Sequence, residues 1–282
     1  MTETTLAKPV QEVVLEAGRA DRHYWLDLWR YRELFQVLAW RDVTIRYKQT
    51  VIGVAWAVLQ PLLQTLIMTL VFSRLAKLPS DGGSPYALMA LAGILPWTFF
   101  ATALANASNS LVSNNNLVSK VYFPRLIVPT AAIVASMVDF AIGLIILGGF
   151  MAWFRFAPDW RIVFLPAFAL MAFLAVLGPS LWITSVNVRY RDFRYVIPFI
   201  VQFGLYVSPV GYSASVVPQK WRLLYSLNPM VAVIDGFRWC VLGGHATIYW
   251  PGFGLGLAVI AAALWLGVRQ FRKLEKTFAD LI

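Results

Sequence analysis

The chain has 282 residues, of which 59% are hydrophobic and only 13% are charged, and it carries a net charge of +10. Because soluble domains carry about 25% charged residues, this composition excludes an ordinary soluble enzyme or binding module and indicates a protein that lies in lipid. The positive charge then favours the anionic inner face of a membrane, rather than nucleic acid, as a partner. The single cysteine excludes an internal disulfide, and the two histidines, far apart in sequence, predict no metal site.

The first fifty residues divide into two segments. Residues 1–20 are polar and acidic and contain no apolar core, so we predict a mobile cytoplasmic tail without a cleavable signal peptide. Residues 21–50 are rich in arginine and are predicted to form an amphipathic interfacial or cytoplasmic helix. Its apolar stripe, with spacings of four and three, is Tyr24, Leu28, Tyr31, Phe35 and Leu38. We expect this stripe to lie in the membrane interface; the alternative is packing on a protein partner.

Six long apolar stretches follow within residues 51–270. A membrane span requires roughly 20 apolar residues, and the fifth stretch is short for a full crossing. The predicted spans are 51–76, 86–107, 126–154, 162–186, 196–210 and 248–268. Most lysines and arginines fall in segments that share a side with the two termini. The positive-inside rule therefore predicts cytoplasmic termini, including a C-terminal tail at 271–282.

The segment 211–244, between the fifth and sixth predicted spans, is apolar but interrupted. Asn228 suits a helix N-cap and Pro229 the first helical position, and the glycine pair after residue 242 would end that helix. A helix of about 14 residues is roughly 20 Å long, too short for a hydrocarbon core of roughly 30 Å. We therefore predict two short re-entrant periplasmic helices at the mouth of a pathway. Asp235 and Arg238 are three residues apart and could pair on one face, with Phe237 on the other.

The predicted fold is an all-α integral membrane protein with six transmembrane helices. The sequence contains no phosphate-binding loop and no metalloprotease or serine-hydrolase motif, so we expect no catalytic residue in this chain. Asp139 is the one ionisable residue well inside a predicted span. It could serve as a proton or substrate site. We favour a structural carboxylate, held by a hydroxyl such as that of Ser136 or by a cation on another helix.

The aromatic residues permit two interpretations. Those near the span ends are expected to form the interfacial belt of a membrane protein. Rings within the spans could instead provide surfaces on which sugar rings slide by stacking. The candidates for such channel aromatics are Trp97, Phe199, Phe203 and Tyr206. In the last span, Gly252 and Gly256 are four residues apart, a spacing that permits close helix packing.

Four segments, taken in order, carry a resemblance to a known family. They are RDVTIRYKQTVIGVAWAVLQPL (41–62), LVSKVYFPRLIVP (117–129), NVRYRD (187–192), and SPVGYSASVVP with NPMVAVIDGFRWCVLG (208–243). This ordered set resembles the membrane subunit of bacterial ABC exporters for polysaccharides, the permeases that export O-antigen, capsule and teichoic acid. The resemblance spans residues 30–270, nearly the whole chain.

The resemblance implies a permease subunit of the bacterial inner membrane that performs no chemistry and binds no cofactor of its own. Such permeases form a homodimer with two copies of a cytoplasmic ABC ATPase subunit, which bind ATP and Mg. The homodimer lines a channel for a lipid-linked glycan, with O-antigen as the favoured polymer. Its other contacts are with membrane lipids, and no nucleic acid is expected.

The resemblance also implies roles for particular residues. The phosphate headgroup of the lipid would approach Arg41, Arg46 and Lys48. The ATPase would dock on two connectors, through Asn115, Leu117, Lys120, Tyr122, Phe123 and Pro124 in the first and through Arg189, Arg191 and Asp192 in the second. The periplasmic gate would be formed by Asn228, Pro229, Asp235, Phe237 and Arg238.

Two other functions stay open at this point. An ABC exporter of small lipids or drugs would have a related fold. A membrane-embedded enzyme that modifies glycolipids would share the hydrophobic composition, but it would need polar catalytic groups clustered at one membrane face. The sequence shows no such cluster.

Overall fold

The protein is described by a computed structural model that covers residues 24–48, 51–190, 192–275 and 278, with backbone alone for 51–54. The predicted tail at 1–20 lies outside the described residues. Within the covered ranges the chain forms α-helices and no strand. The helices are α1 (Tyr24–Arg30), α2 (Arg32–Tyr47), α3 (Val51–Met68), α4 (Tyr86–Ser113), α5 (Asn115–Lys120), α6 (Ile127–Trp153), α7 (Leu165–Arg189), α8 (Phe193–Val207), α9 (Gln219–Tyr225), α10 (Pro229–Leu242) and α11 (Trp250–Glu275).

Five segments of the described chain are helical, long and apolar enough to cross a membrane. They are Ala55–Leu75, Tyr86–Ser113, Ile127–Trp153, Trp160–Arg189 and Trp250–Glu275. The fifth predicted span forms α8, whose 15 residues extend over roughly 22 Å. This helix is shorter than a hydrocarbon core of roughly 30 Å. The prediction of an all-helical membrane protein is confirmed, while a sixth full crossing is not.

The central helix of the molecule is α4. It is buried over most of its length, and it packs on α6, α7, α10 and α3. Its residues are mostly small or apolar on every side, which is the pattern of a helix enclosed by other helices rather than of an amphipathic surface helix. The remaining spans are arranged around α4, and their outer faces are exposed.

The helices place the connectors together at one end of the molecule. The Thr184 hydroxyl donates to the Ala107 carbonyl at 3.0 Å, and the Asn187 amide donates to the Ser108 carbonyl at 2.8 Å. Since α4 and α7 thus run side by side in the same direction and stop within six residues of these contacts, they end together. We call this the connector end; the opposite end, where α10 packs on the starts of α4 and α7, we call the gate end, after the gate that the sequence resemblance implies there.

The N-terminal helices also lie at the connector end, but in an orientation that the sequence did not predict. The aromatic stripe expected in the membrane interface, which begins at Tyr24 and ends at Leu38, packs instead on the ends of α4, α6 and α11. The Arg272 guanidinium lies 4.5 Å from the Tyr24 ring centre. The exposed face carries tryptophans, Trp25 and Trp29 among them. The stripe is therefore the face of these helices that is buried on the neighbouring spans. The face with the tryptophans is exposed to lipid or water.

Candidate functional site

The first connector joins α4 to α6 at the connector end. Of the residues predicted to dock the ATPase, Asn115, Lys120 and Tyr122 are exposed, while Leu117 is partly buried. Phe123 and the neighbouring Pro124 are buried, and Phe123 packs in the same apolar cluster as the N-terminal stripe. These last two residues therefore anchor the connector, and the exposed three, with Asn116, Ser119 and Val121, form the surface open to a partner.

The second connector joins α7 to α8 at the same end. Arg189 and Asp192 are exposed, and the Arg189 guanidinium lies 5.4 Å from the centre of the adjacent Tyr190 ring. Arg191, the third residue predicted here, lies outside the described residues. Just before the connector, the Asn187 amide that bonds to α4 is buried. These hydrogen bonds tie the end of α7 to the end of α4 beside both connectors.

The basic residues at the end of α2 border an open groove of about 690 Å³. Arg41 and Arg46 both line it, and Lys48 is exposed at the end of the same helix. Arg41 pairs with the adjacent Asp42 at 2.7 Å, with both side chains partly exposed. The groove thus presents two guanidinium groups, each with a carboxylate partner, close to the start of the spans.

Asp139 on α6 is the carboxylate partner of Arg46. The Tyr47 hydroxyl donates to its second oxygen. The interpretation that Asp139 is held by a cation on another helix is confirmed. Ser136, the hydroxyl offered as the alternative, accepts from the Asn106 amide at 3.1 Å instead.

Three of the four candidate channel aromatics form one exposed face of α8. Phe199, Phe203 and Tyr206 are 68%, 60% and 65% exposed, and the two phenylalanine rings stack with centres 6.1 Å apart. Trp97 does not belong to this surface, because it is 6% exposed and packs against Gly204 on the opposite side of α8. The channel role predicted for Trp97 thus falls on a ring that is packed inside one copy of the chain. Because the Trp97 ring packs on the Gly204 side of α8, the opposite side of this helix is the exposed one.

The gate end contains the two short helices that the sequence predicted. In α10 the Asn228 side chain accepts from the Met230 amide at 3.0 Å, Pro229 is the first helical residue, and Gly243 with φ of +58° ends the helix. The N-cap, the first position and the terminating glycine are all confirmed. Gly252 and Gly256 let α11 approach this segment closely.

Arg238 does not pair with Asp235 as their spacing suggested. Its guanidinium donates instead to three backbone carbonyls, at 2.8 Å to Tyr212, 3.0 Å to Val210 and 3.3 Å to Met89. The side chain is almost fully buried, at 1% exposed. Two of these carbonyls, those of Val210 and Tyr212, belong to the turn after α8. Arg238 thus fastens α10 to the start of α4 and to the end of α8.

Asp235 faces a polar cavity of about 410 Å³ at the gate end. Burial raises the pKa of its carboxyl from the ordinary value to about 7. The positive charge of Arg238 lowers this pKa, the negative charge of Asp81 raises it further, and Arg222 lowers it slightly. Ionisation of Asp235 near neutral pH would therefore change the net charge of the cavity that lies under the gate helices.

We expect the Asp235→Asn variant to lose part of the pH dependence of stability. Because the folded-state pKa is raised, the unfolded chain ionises first as pH increases, and the stability that protonation confers falls from about pH 4 until pH exceeds about 7. The midpoint of thermal unfolding at pH 5 and at pH 8 measures this. The difference between the two pH values should be smaller in the variant than in the native protein, and an equal difference would refute the assignment.

Several functional candidates escaped sequence reasoning. Tyr195 continues the exposed aromatic face of α8, one turn before Phe199. Tyr86 donates to the Gly211 carbonyl and fastens the turn that Arg238 also holds. The spacing of Tyr195 to Phe199 could have been found from the sequence, whereas the bond from Tyr86 joins residues 125 positions apart and leaves no local signal. Within the part of the chain that the structure describes, no three histidine, cysteine or acidic side chains lie close enough to hold a metal ion.

Comparison with known proteins places these features in a family. The membrane-domain family described as ABC-2 type transporter matches residues 33–242. The O-antigen export system permease protein RfbA of Myxococcus xanthus is 26% identical, with 91% of this chain and 98% of that protein aligned. The protein of the same name from Klebsiella pneumoniae is 24% identical over 89% of this chain and 95% of its own length. The capsule polysaccharide export inner-membrane protein CtrC of Neisseria meningitidis is 27% identical over 77% and 82%. The chain therefore belongs to the ABC-2 type transporter membrane family.

Proposed function

We propose that this protein is the permease subunit of an ATP-driven exporter that moves lipid-linked polysaccharide, with O-antigen as the favoured cargo, across the bacterial inner membrane. The observation that carries the proposal is the near full-length similarity to O-antigen export permeases. The division of the molecule into a connector end and a gate end supports it, since a transporter couples a motor on one side to an exit on the other. The chain itself performs no chemistry.

In this proposal the connector end faces the cytoplasm and both termini lie there. Two copies of a separate ABC ATPase bind ATP and Mg and dock on the exposed residues of the two connectors. Because Asn187 and Thr184 tie α7 to α4, movement of the connectors would be transmitted along both helices to α10 at the gate end. The predicted periplasmic gate is then formed by α9 and α10.

The proposed exporter contains two copies of this chain, each with α8 as a sixth membrane-embedded helix. The first span, Ala55–Leu75, supports pairing because only 11% of its most apolar stretch is buried within one copy. Its exposed large side chains include Trp56, Leu59 and Leu66. A second copy would cover part of this face, and the exposed rings of α8 would provide the stacking surface for sugars.

The proposal is tested by deleting the gene that encodes this chain in its host. An export permease predicts that lipid-linked glycan accumulates on the cytoplasmic side, and that a plasmid copy restores surface polysaccharide only when the partner ATPase can hydrolyse ATP. Unchanged surface polysaccharide would overturn the proposal. So would modification of a glycolipid by the purified chain alone in liposomes without ATP.

We expect the Tyr122→Ala variant to lose the ATPase partner while remaining folded. Tyr122 is exposed, so its removal should change the free energy of unfolding by less than about 0.5 kcal/mol. An aromatic anchor at an interface is typically worth more than about 1 kcal/mol, so co-purification with the ATPase should fall several-fold.

Two control variants separate docking from folding. Trp153→Ala removes an exposed ring at the gate end of α6 and should leave ATPase binding unchanged. Phe123→Ala removes a buried ring of the connector and should lower the free energy of unfolding by about 3–5 kcal/mol. Equal loss of the ATPase in the Trp153 and Tyr122 variants would show that the connector is not the docking surface.

A further inference from the structure

The last residue of α11 bonds to the end of the first connector. The Arg125 backbone N–H donates to a carboxylate oxygen of Glu275 at 2.7 Å, and the Arg125 guanidinium donates to the Glu275 carbonyl. Arg125 directly follows the buried Pro124 of the connector. The two bonded residues are 150 positions apart, so folding brings the last turn of α11 to the segment on which the ATPase is proposed to dock.

Apolar packing accompanies these hydrogen bonds. Phe271 in the last turns of α11 and Phe278 shortly after it are both fully buried, and their rings meet edge to face with centres 5.3 Å apart. We call residues 271–275 together with Phe278 the α11 end. The first connector joins the same apolar cluster through Val118, Phe123 and Leu126. The inner side of the connector therefore rests on the α11 end.

The connector depends on such contacts for its position. Its helix α5 has six residues, and isolated helices shorter than about 12 residues are marginal in water. Of these six residues only Val118 is buried. At the start of α6, the described N-cap residue Leu126 has no side-chain hydrogen bond, although a helix leaves its first N–H groups without partners of its own. Glu275 supplies an acceptor and a negative charge there from another helix.

We propose that the α11 end positions the first connector for the ATPase, with Glu275 and Phe278 as the positioning residues. This proposal rests on the proposed function, in which the ATPase docks on the exposed side of that connector. The docking side chains face the partner, while the opposite side of the connector is held by the α11 end. Apparent affinity falls with the fraction of molecules that are in the binding-competent position. Loss of the positioning contact therefore weakens docking although every docking side chain is still present.

The test measures the dissociation constant of the nucleotide-free partner ATPase for the full-length permease in lipid nanodiscs. Glu275→Ala removes the acceptor of the Arg125 N–H and should weaken ATPase binding several-fold. Glu275→Gln keeps an oxygen that can accept from the same N–H, so its affinity should stay close to that of the native permease. Unchanged affinity in Glu275→Ala would overturn the proposal. Equal weakening by the two variants would do so too, since it would show that the charge and not the hydrogen bond matters.

Two control variants separate positioning from general effects. Lys273→Ala changes an exposed charged residue in the same turn of α11 and should leave the ATPase affinity unchanged. Leu147→Ala opens a cavity in the core near the gate end of α6, far from the connector. It should lower the midpoint of thermal unfolding at least as much as Glu275→Ala does, yet leave the ATPase affinity unchanged. Equal loss of affinity in Leu147→Ala and Glu275→Ala would show that Glu275 acts only through overall stability.

Hydrogen exchange measures the same contact without the ATPase. A hydrogen bond to a charged acceptor is worth roughly a factor of ten in an equilibrium, so peptides that contain the Arg125 amide should exchange roughly tenfold faster in Glu275→Ala. Phe278→Ala is a second variant for the case in which Glu275→Ala does not fold. It keeps both bonds from Arg125 but removes a buried ring of the cluster, so connector amides should again exchange faster. Native exchange rates in both variants would contradict the positioning role.

The two measurements distinguish failure of this proposal from failure of the proposed function. If the native permease binds the ATPase and Glu275→Ala exchanges at the native rate, the proposed function stands and the positioning role is wrong. If Glu275→Ala exchanges faster but the native permease binds no ATPase, the α11 end holds the connector and the proposed function is wrong. Faster exchange together with weaker ATPase binding, both restored in Glu275→Gln, is the result that we expect.

Discussion

Replacing Arg238 with methionine is expected to destabilise the gate end by on the order of 3 kcal/mol. The native guanidinium donates to the carbonyls of Met89, Val210 and Tyr212 while it is almost fully buried. Methionine fills similar volume and donates nothing, so three carbonyls lose their charged donor, and each buried unsatisfied group costs about 1–3 kcal/mol. Removal of a costly buried charge offsets part of this loss. The midpoint of thermal unfolding of the purified protein measures the effect.

The matched control is Arg222→Met, on α9 of the same gate. Arg222 also donates to two carbonyls, those of Val217 at 3.0 Å and Ser215 at 2.8 Å, but its side chain is only partly buried. Water can replace those bonds, so the cost should stay below about 1 kcal/mol. Equal destabilisation by the two variants would mean that Arg238 does not stabilise the protein by donating hydrogen bonds to buried carbonyls.

The parts of the fold that could be predicted from sequence are those with local causes. The α10 helix begins and ends where its own residues dictate, because an Asn–Pro start and a glycine at positive φ act within a few positions. Hydropathy likewise located the spans, since a helix in lipid satisfies its backbone internally and needs only a sufficient apolar length.

The parts that could not be predicted depend on a choice between competing neighbours. The spacing of Asp235 and Arg238 permits a pair, yet backbone carbonyls brought in from the turn after α8 take the guanidinium. The N-terminal stripe suits the membrane interface or a protein surface equally well, and only the ends of the spans decide between them. Asp139 finds a cation 93 positions away. In each case the sequence identified a residue that needs a partner, but folding in three dimensions selected the partner.

Replacing Gly178 with alanine is expected to destabilise the contact between two of the spans. At this position α7 and α11 meet backbone to backbone, and a Cβ on Gly178 would lie 2.6 Å from the carbonyl of Ala263. Backbone atoms cannot rotate away as a side chain can, so the two helices must separate. Overpacking typically costs about 1–3 kcal/mol, and separation here would also loosen the close approach of Gly267 on α11 to the Gly178 carbonyl on α7.

Gly254→Ala on α11 provides the control, because a Cβ there would meet nothing within 4 Å. Alanine in a helix is favoured over glycine by roughly 0.5–1 kcal/mol, so this variant should be neutral or slightly more stable. The same methyl group is thus expected to lower the midpoint of thermal unfolding at Gly178 and to maintain or raise it at Gly254. If both variants raise the midpoint, helix propensity rather than close approach governs these positions, and the tight crossing of α7 and α11 does not hold the bundle together.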